Sequence, residues 1–293
     1  VLFRSRGSYD AFQDRLLFPF FDLHGNVVGF TGRLIEPKEG SPKYSNTGDT
    51  LLFTKGKHIY GLYQAKQAIA RMGFAYLVEG QMDALSLHLV GVSNAFAGSG
   101  TAFTEEQIRT VSRFTSDIVL AYDADSAGIK ASLKHAESFL RQKFNIKCVT
   151  LPDGQDPDNI AQEMKADTAK YLVNNTVDFV TYFYNVLLGS DLDVDHKEEV
   201  LNEILKLIGQ IESETKRFEY CRLLEKLSDN NLEVLRKRSS SIYNQLPALP
   251  DHAQMADGIY GLDALEDVAD EDEDCFLTAD YDTFLKAYGE SPT

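Results

Sequence analysis

A chain of 293 residues, 43% hydrophobic and 25% charged, has the composition of a globular protein with material for one or two cores. No apolar run reaches membrane-spanning length and no secretory signal opens the chain. Its three cysteines, Cys148, Cys221 and Cys275, are too scattered for a disulfide framework or a zinc site, so a reducing, cytoplasmic setting without membrane contact is expected. The net charge of −16 is uneven: residues 251–293 hold 13 acidic residues against one lysine, whereas residues 1–74 hold ten Lys/Arg against six Asp/Glu.

The end of a common short-read sequencing adapter translates to Val1-Leu2-Phe3-Arg4-Ser5. The chain is therefore expected to open on a read artefact, to be a truncated product, and to lack structure over residues 1–8. Residues 15–35 carry two apolar runs split by Asp22-Leu23-His24-Gly25-Asn26, a hairpin pattern. Residues 36–49 are polar and rich in Gly, Pro and Ser and read as a loop, and a helix is expected over 61–71.

From residue 75 the pattern alternates. Strands are predicted at 75–78, 92–96, 117–122 and 146–151, and helices at 82–90, 104–114, 127–143 and near 158–165. Thr104 with Gln107 three residues later is a capping-box signature. This alternation predicts an α/β fold, a mostly parallel sheet with helices on both faces. Beyond 170 no further strand is expected. Val200, Ile204, Ile208 and Ile211 recur at helical spacing, and residues 215–245 continue that pattern. Residues 247–293 read as an acidic, largely disordered tail, with a short docking helix possible around Tyr281, Phe284, Leu285 and Tyr288.

Six carboxylates follow the predicted strands. Glu79 and Asp83 follow the first, Asp123 and Asp125 the third, and Asp156 and Asp158 the fourth. Carboxylates at the ends of neighbouring parallel strands converge on one crevice, where they repel unless neutralised. Hard divalent cations with oxygen ligands neutralise them best, which points to a Mg²⁺ site for phosphoryl chemistry. Each cluster alone has a plainer reading: an acid favouring a helix dipole, a polar loop, or a turn. Their joint occurrence, in order and each after a strand, outweighs those readings. The Gly-rich Ala97-Gly98-Ser99-Gly100-Thr101 could offer N–H groups to a phosphate or could be a turn needing positive φ.

Glu-Gly-x-x-Asp followed by Asp-x-Asp-x-x-Gly resembles the primase members of the Toprim fold. The segments Arg15–Phe20, Gly25–Arg33, Pro42–Thr47 and Phe53–Leu62 resemble the basic amino-terminal subdomain of the bacterial DnaG-type primase polymerase core. The resemblance runs from about Tyr9 to Ala161. The helical part, with Lys216-Arg217, looks like the primase of Bacteroidetes-type bacteria or a phage infecting them.

That resemblance implies a basic subdomain over 9–73, a Toprim catalytic domain over 74–168 and a helical subdomain over 169–246. It implies synthesis of RNA primers on single-stranded DNA from NTPs, with two or three Mg²⁺ or Mn²⁺ ions. Asp83, Asp123, Asp125, Asp156 and Asp158 would hold metal, and Glu79 would be a ligand or the general acid/base. Arg15, Arg33, Lys43, Tyr44, Asn46 and Lys55 would contact nucleotide or template. A monomer is expected, with a replicative helicase as partner of the full-length protein. No zinc is expected in this fragment, because the family's amino-terminal zinc-binding domain has no counterpart here. A Toprim nuclease or topoisomerase, or a non-enzymatic binding module with a structural cation, are the alternatives. Too little chain remains for a topoisomerase gate, and the basic module argues against a nuclease.

Overall fold

The computed structural model describes residues 2–4, 7–98, 103–189 and 193–247. At its centre is a five-stranded sheet built from β6 (Ala75–Val78), β7 (Ala95–Ala97), β8 (Asp117–Ala121), β9 (Asn145–Val149) and β10 (Thr176–Asp178). Before it in the chain come β1 (Leu2–Arg4), β2 (Gly7–Tyr9), β3 (Arg15–Phe21), β4 (Val27–Leu34), β5 (Tyr44–Asn46) and α1 (Leu62–Met72). The strand order is β10-β9-β8-β6-β7, parallel except for the antiparallel edge strand β10.

The strands are apolar on alternate faces because both faces are covered. Ala75, Leu77, Ile118, Leu120, Ile146 and Cys148 face one core; Tyr76, Val78, Val119, Ala121 and Val149 face the other. The first core takes in α1, α3 (Glu105–Ser112), α4 (Ser126–Arg141), and a bundle of α7 (Phe179–Leu188), α8 (Val194–Gly209), α9 (Glu214–Ser228) and α10 (Leu232–Gln245). The second takes in α2 (Gln81–Leu89), α5 (Pro157–Met164) and Leu172 of α6 (Thr168–Asn174). Phe18 and Phe20 of β3 and Phe53 are buried in this second core beside Tyr60 and Tyr76. The apolar face of the hairpin thereby docks the three-stranded sheet β3-β4-β5 onto the central unit.

The α/β architecture and each predicted strand and helix of 75–165 are present, with boundaries shifted by a few residues; the strand expected at 92–96 is Ala95–Ala97. Three local expectations are corrected, and the helical pattern of 215–245 is present as two helices. Tyr44–Asn46, read as loop, is a strand because it completes the β4 edge, Arg33 opposite Tyr44 and Thr31 opposite Asn46. Thr176–Asp178 adds a strand beyond residue 170, too short and polar to show periodicity, made by pairing with β9. The helical stretch 215–245 is two helices: Asp229 takes φ 53° and the Asn231 side chain caps α10. Leu2–Arg4 and Gly7–Tyr9 pair antiparallel, so backbone structure enters the first eight residues. The acidic tail lies outside the described residues. Among those described, no helix is long and apolar enough to cross a membrane.

Candidate active site

The chain passes from β6 out to edge strand β7, then back across to β8 on the other side of β6. Such a reversal opens a crevice at the carboxyl ends of the strands. Val78 pairs with Ala121, so Glu79 and Tyr122 lie side by side just past the strand ends and Asp123 comes one residue later. Neighbouring strands are about 4.8 Å apart, so this register alone sets two acids together.

Each acid loop then turns into a helix, and the acids themselves make the turns. Asp125 Oδ1 accepts from Ala127 N–H at 2.9 Å and Gly128 N–H at 2.7 Å, capping α4. Asp156 Oδ1 accepts from Asn159 N–H at 2.7 Å, capping α5, with Pro157 in its first turn. Asp83 Oδ2 accepts from Gly80 N–H at 2.9 Å. Asp158 Oδ1 accepts from Ser86 Oγ at 2.5 Å and Gln162 Nε2 at 2.9 Å, tying α5 to α2. In each case the bonds fall on one carboxylate oxygen. The second and third loops are also stitched together: Ala124 N–H donates to Gln155 O at 3.0 Å and Gly154 N–H to Ala124 O at 3.4 Å. Gly128 belongs to the same construction, since a Cβ there would lie 2.3 Å from the Asp123 carbonyl oxygen. The helix start can pack against that carbonyl only with glycine at this position.

The charges are mutually felt. Burial, then the Asp123 charge, with Asp156 and Asp158 adding, pushes Asp83 up to about 7; its residue is only 8% exposed. Burial, then Asp123 and Asp125, raises Glu79; burial, then Asp156 and Asp125, raises Asp123. The acids of the three loops thus feel one another's charge: Asp123 acts on Glu79 and Asp83, Asp125 on Glu79 and Asp123, Asp156 on Asp83 and Asp123, and Asp158 on Asp83. Beneath them the Tyr122 hydroxyl is bonded to His135 Nδ1, and burial holds that phenol well above its ordinary range.

The donors suit a hard cation: all are carboxylate oxygens, they destabilise one another when ionised, and Asp123 Oδ1 is buried with no protein donor. Among the described residues no three acidic, histidine or cysteine side chains already converge in an ion-holding group. Three of the acids, Asp83, Asp125 and Asp156, commit one carboxylate oxygen to a helix start.

The basic residues divide. Lys43 draws the Asp123 pKa down against burial and the neighbouring acids, and the Tyr44 pKa, raised mainly by burial, is raised further by Asp83 and Asp158, so β5 lies within reach of the charge of the acid loops. Arg33 and Lys43 each lie 5.9 Å from the Tyr44 ring centre. Asn46 is exposed on the same strand. Arg15 is occupied otherwise: its guanidinium donates to the carbonyls of Gly32, Lys43 and Pro42, bracing β5 against the hairpin. Lys55 sits on a loop held by α3, where Gln107 Nε2 donates to the carbonyls of Lys55 and His58 and Thr104 Oγ1 to that of Gly56. Among the described residues no recorded ion pair joins Lys55 to the six acids.

Sequence reasoning recognised the Thr104–Gln107 capping box but not its second role in holding this loop. It did not single out Ser86, Gln162 or Gln155, which share no motif with the acids they serve. Of the Gly-rich turn, residues 99–102 lie outside the described residues; Gly98 donates its N–H to the Val78 carbonyl at 3.0 Å.

Residues 76–161 match the family model described as Toprim-like, and residues 2–66 match that of the DNA primase catalytic core, N-terminal domain. The chain is 34% identical over 220 residues to the DNA primase of Clostridium acetobutylicum, covering 73% of this chain and 36% of that protein. It superposes on the zinc-binding and RNA polymerase domains of Aquifex aeolicus primase with a TM-score of 0.68 at 33% identity, covering 80% of this chain and 57% of that one. A DnaG primase catalytic domain solved with single-stranded DNA gives 0.65 at 30% identity, covering 78% of this chain and 74% of that one. The chain thus spans little more than a third of the Clostridium relative but three quarters of an isolated catalytic domain. It belongs to the bacterial DnaG-type primase family, of which it carries the Toprim-containing catalytic core.

Proposed function

We propose that this chain synthesises short RNA primers from NTPs on a single-stranded DNA template by metal-dependent nucleotidyl transfer. The observation that carries this reading is the facing of two unlike walls across one crevice. Tyr44 on β5 feels the charges of Asp83 and Asp158, and Lys43 draws on Asp123. A polyanion bound along β5 would therefore lie beside the acids. The relatives' names, and the single-stranded DNA in one related structure, support the same substrate class.

In this reading Asp123, Asp125 and Asp158 hold metal directly or through water, and Asp83 and Asp156 complete the set. Two or three Mg²⁺ or Mn²⁺ ions, when bound, would supply Lewis-acid activation of the primer 3′-hydroxyl and neutralise the pyrophosphate leaving group. Glu79 stands at the β6 tip as a further ligand or as the general acid/base, and burial, with the charges of Asp123 and Asp125 adding, raises its pKa in the direction that suits a proton carrier. Arg33 and Lys43 contact phosphates, one as a fork and one as a point charge, while Tyr44 offers a stacking face and Asn46 a hydrogen-bonding edge. Arg15 fixes the strand that presents them, and Lys55 reaches the nucleotide from its braced loop. The basic subdomain (9–73), Toprim domain (74–168) and helical subdomain (169–246) act as one monomeric cytoplasmic unit. A replicative helicase would engage the longer protein.

The test is incubation of the chain with NTPs, Mg²⁺ and single-stranded DNA. Template-dependent RNA products are expected. Shortening of the DNA would favour a nuclease, and Mg²⁺-dependent thermal stabilisation without turnover would favour a binding module.

A further inference from the structure

The β9–α5 loop carries an oxygen that the six acids leave unaccounted for. Gln155 Oε1 is buried and accepts no hydrogen bond from the protein, a condition it shares with Asp123 Oδ1. The two residues sit on the pair of stitched loops, for the Gln155 carbonyl accepts from Ala124, the residue after Asp123. Gln155 also immediately precedes Asp156, whose charge raises the pKa of Asp123. A buried acceptor without a donor is costly to keep, and a side chain retained at such a cost asks for a partner. Here that partner has to be electropositive, because Gln155 Oε1 is an acceptor and the side chains of Asp123 and Asp156 on the same pair of loops are carboxylates. A seventh carboxylate would sharpen the repulsion. A carboxamide oxygen adds a hard ligand without adding charge, as amide oxygens do in many divalent-cation sites.

We propose that Gln155 Oε1 is a further oxygen ligand, direct or through one bound water, for the divalent cation held by Asp123. The inference rests on reading the crevice as a metal site and adds to it a neutral ligand from the third loop.

The test compares the full chain as wild type, Gln155→Met, Gln155→Glu and Asp123→Asn, measuring Mg²⁺ and Mn²⁺ affinity by calorimetry and the metal-free melting temperature. Gln155→Met is expected to bind Mg²⁺ about tenfold more weakly, with a metal-free melting temperature equal to or above that of wild type, since an unsatisfied acceptor is removed. Gln155→Glu is expected to bind Mg²⁺ more tightly and to melt lower without metal. Wild-type Mg²⁺ affinity in both Gln155 variants, with binding lost in Asp123→Asn, would overturn the role of Gln155 and leave the metal site standing. Absence of Mg²⁺ binding by the wild type would remove the metal reading itself, and this proposal with it. If Gln155→Met does not fold, Gln155→Glu decides alone, because unchanged affinity on adding a charge there excludes contact with the ion.

Discussion

The acid loops and the basic hairpin lie within reach of each other's charge, yet they are positioned by different physics. The acids stand where strands end and helices begin, and Asp83, Asp125 and Asp156 hold those junctions through bonds to backbone N–H groups. Their placement is local. Lys43, Tyr44 and Arg33 instead depend on a three-stranded sheet whose docking relies on Phe18, Phe20 and Phe53, and on Arg15 bonding three carbonyls. Their placement is tertiary. A charge-bearing wall can thus be set residue by residue, while its counterpart is carried in as a preassembled unit. Substitutions should reflect this, with stability and metal effects on the acid side and template affinity on the basic side.

The largest effect on stability is expected from Asp83. Its folded pKa of about 7 lies above the ordinary 3.8, so the native state holds the proton more tightly than the unfolded chain. Its contribution to stability is therefore present below about pH 4, is lost as pH rises through about 7, and amounts to at most about 4 kcal/mol. In chelator, thermal unfolding of wild type relative to Asp83→Asn should worsen steadily from pH 4 to 7, and Mg²⁺ should restore it at pH 8. A pH-independent difference would mean that Asp83 does not share the acid crevice.

Next comes Gly128→Ala. The added methyl would lie 2.3 Å from the Asp123 carbonyl oxygen, so the loop must shift. A loss of about 1–3 kcal/mol is expected, together with a fall in kcat larger than that in template affinity. Melting temperature and single-turnover rates check this; an unchanged kcat would show that the position of the Asp123 loop is not critical.

The smallest effect belongs to the basic wall. Lys43→Ala should weaken single-stranded DNA binding only several-fold and lower the salt slope by about one, leaving the melting temperature unchanged. Fluorescence anisotropy across a salt series would detect it, and a loss of stability without a change in slope would recast Lys43 as a structural residue.

The same local-versus-tertiary split explains how much could be read from the sequence. The strand–helix alternation of 75–165 was legible because both sheet faces are buried, giving solid apolar runs such as Ala75–Val78, and because the Thr104–Gln107 capping box marks the start of α3. The six acids followed from the same pattern. That Asp125 and Asp156 also cap helices was not legible, because a capping Asp and a metal-binding Asp look identical in a sequence. Strands β5 and β10 escaped notice since three residues are too few to show a period and acquire strand geometry only from a partner. Arg15 stood out as a basic residue in the right segment, but its engagement with backbone carbonyls is a property of the assembled hairpin.

The central claim is that the acids at the ends of β6, β8 and β9 are the metal-holding part of a nucleotidyl-transfer site, with Asp123 at its hub. Primer synthesis by wild type and Asp123→Asn, assayed side by side on single-stranded DNA with NTPs and Mg²⁺ after circular dichroism has shown equal folding, tests it most directly. The expected result is a loss of at least about a thousand-fold, equivalent to about 4 kcal/mol of transition-state stabilisation, with the melting temperature in chelator unchanged or raised. Primer synthesis at the wild-type rate by a folded Asp123→Asn protein would contradict the account.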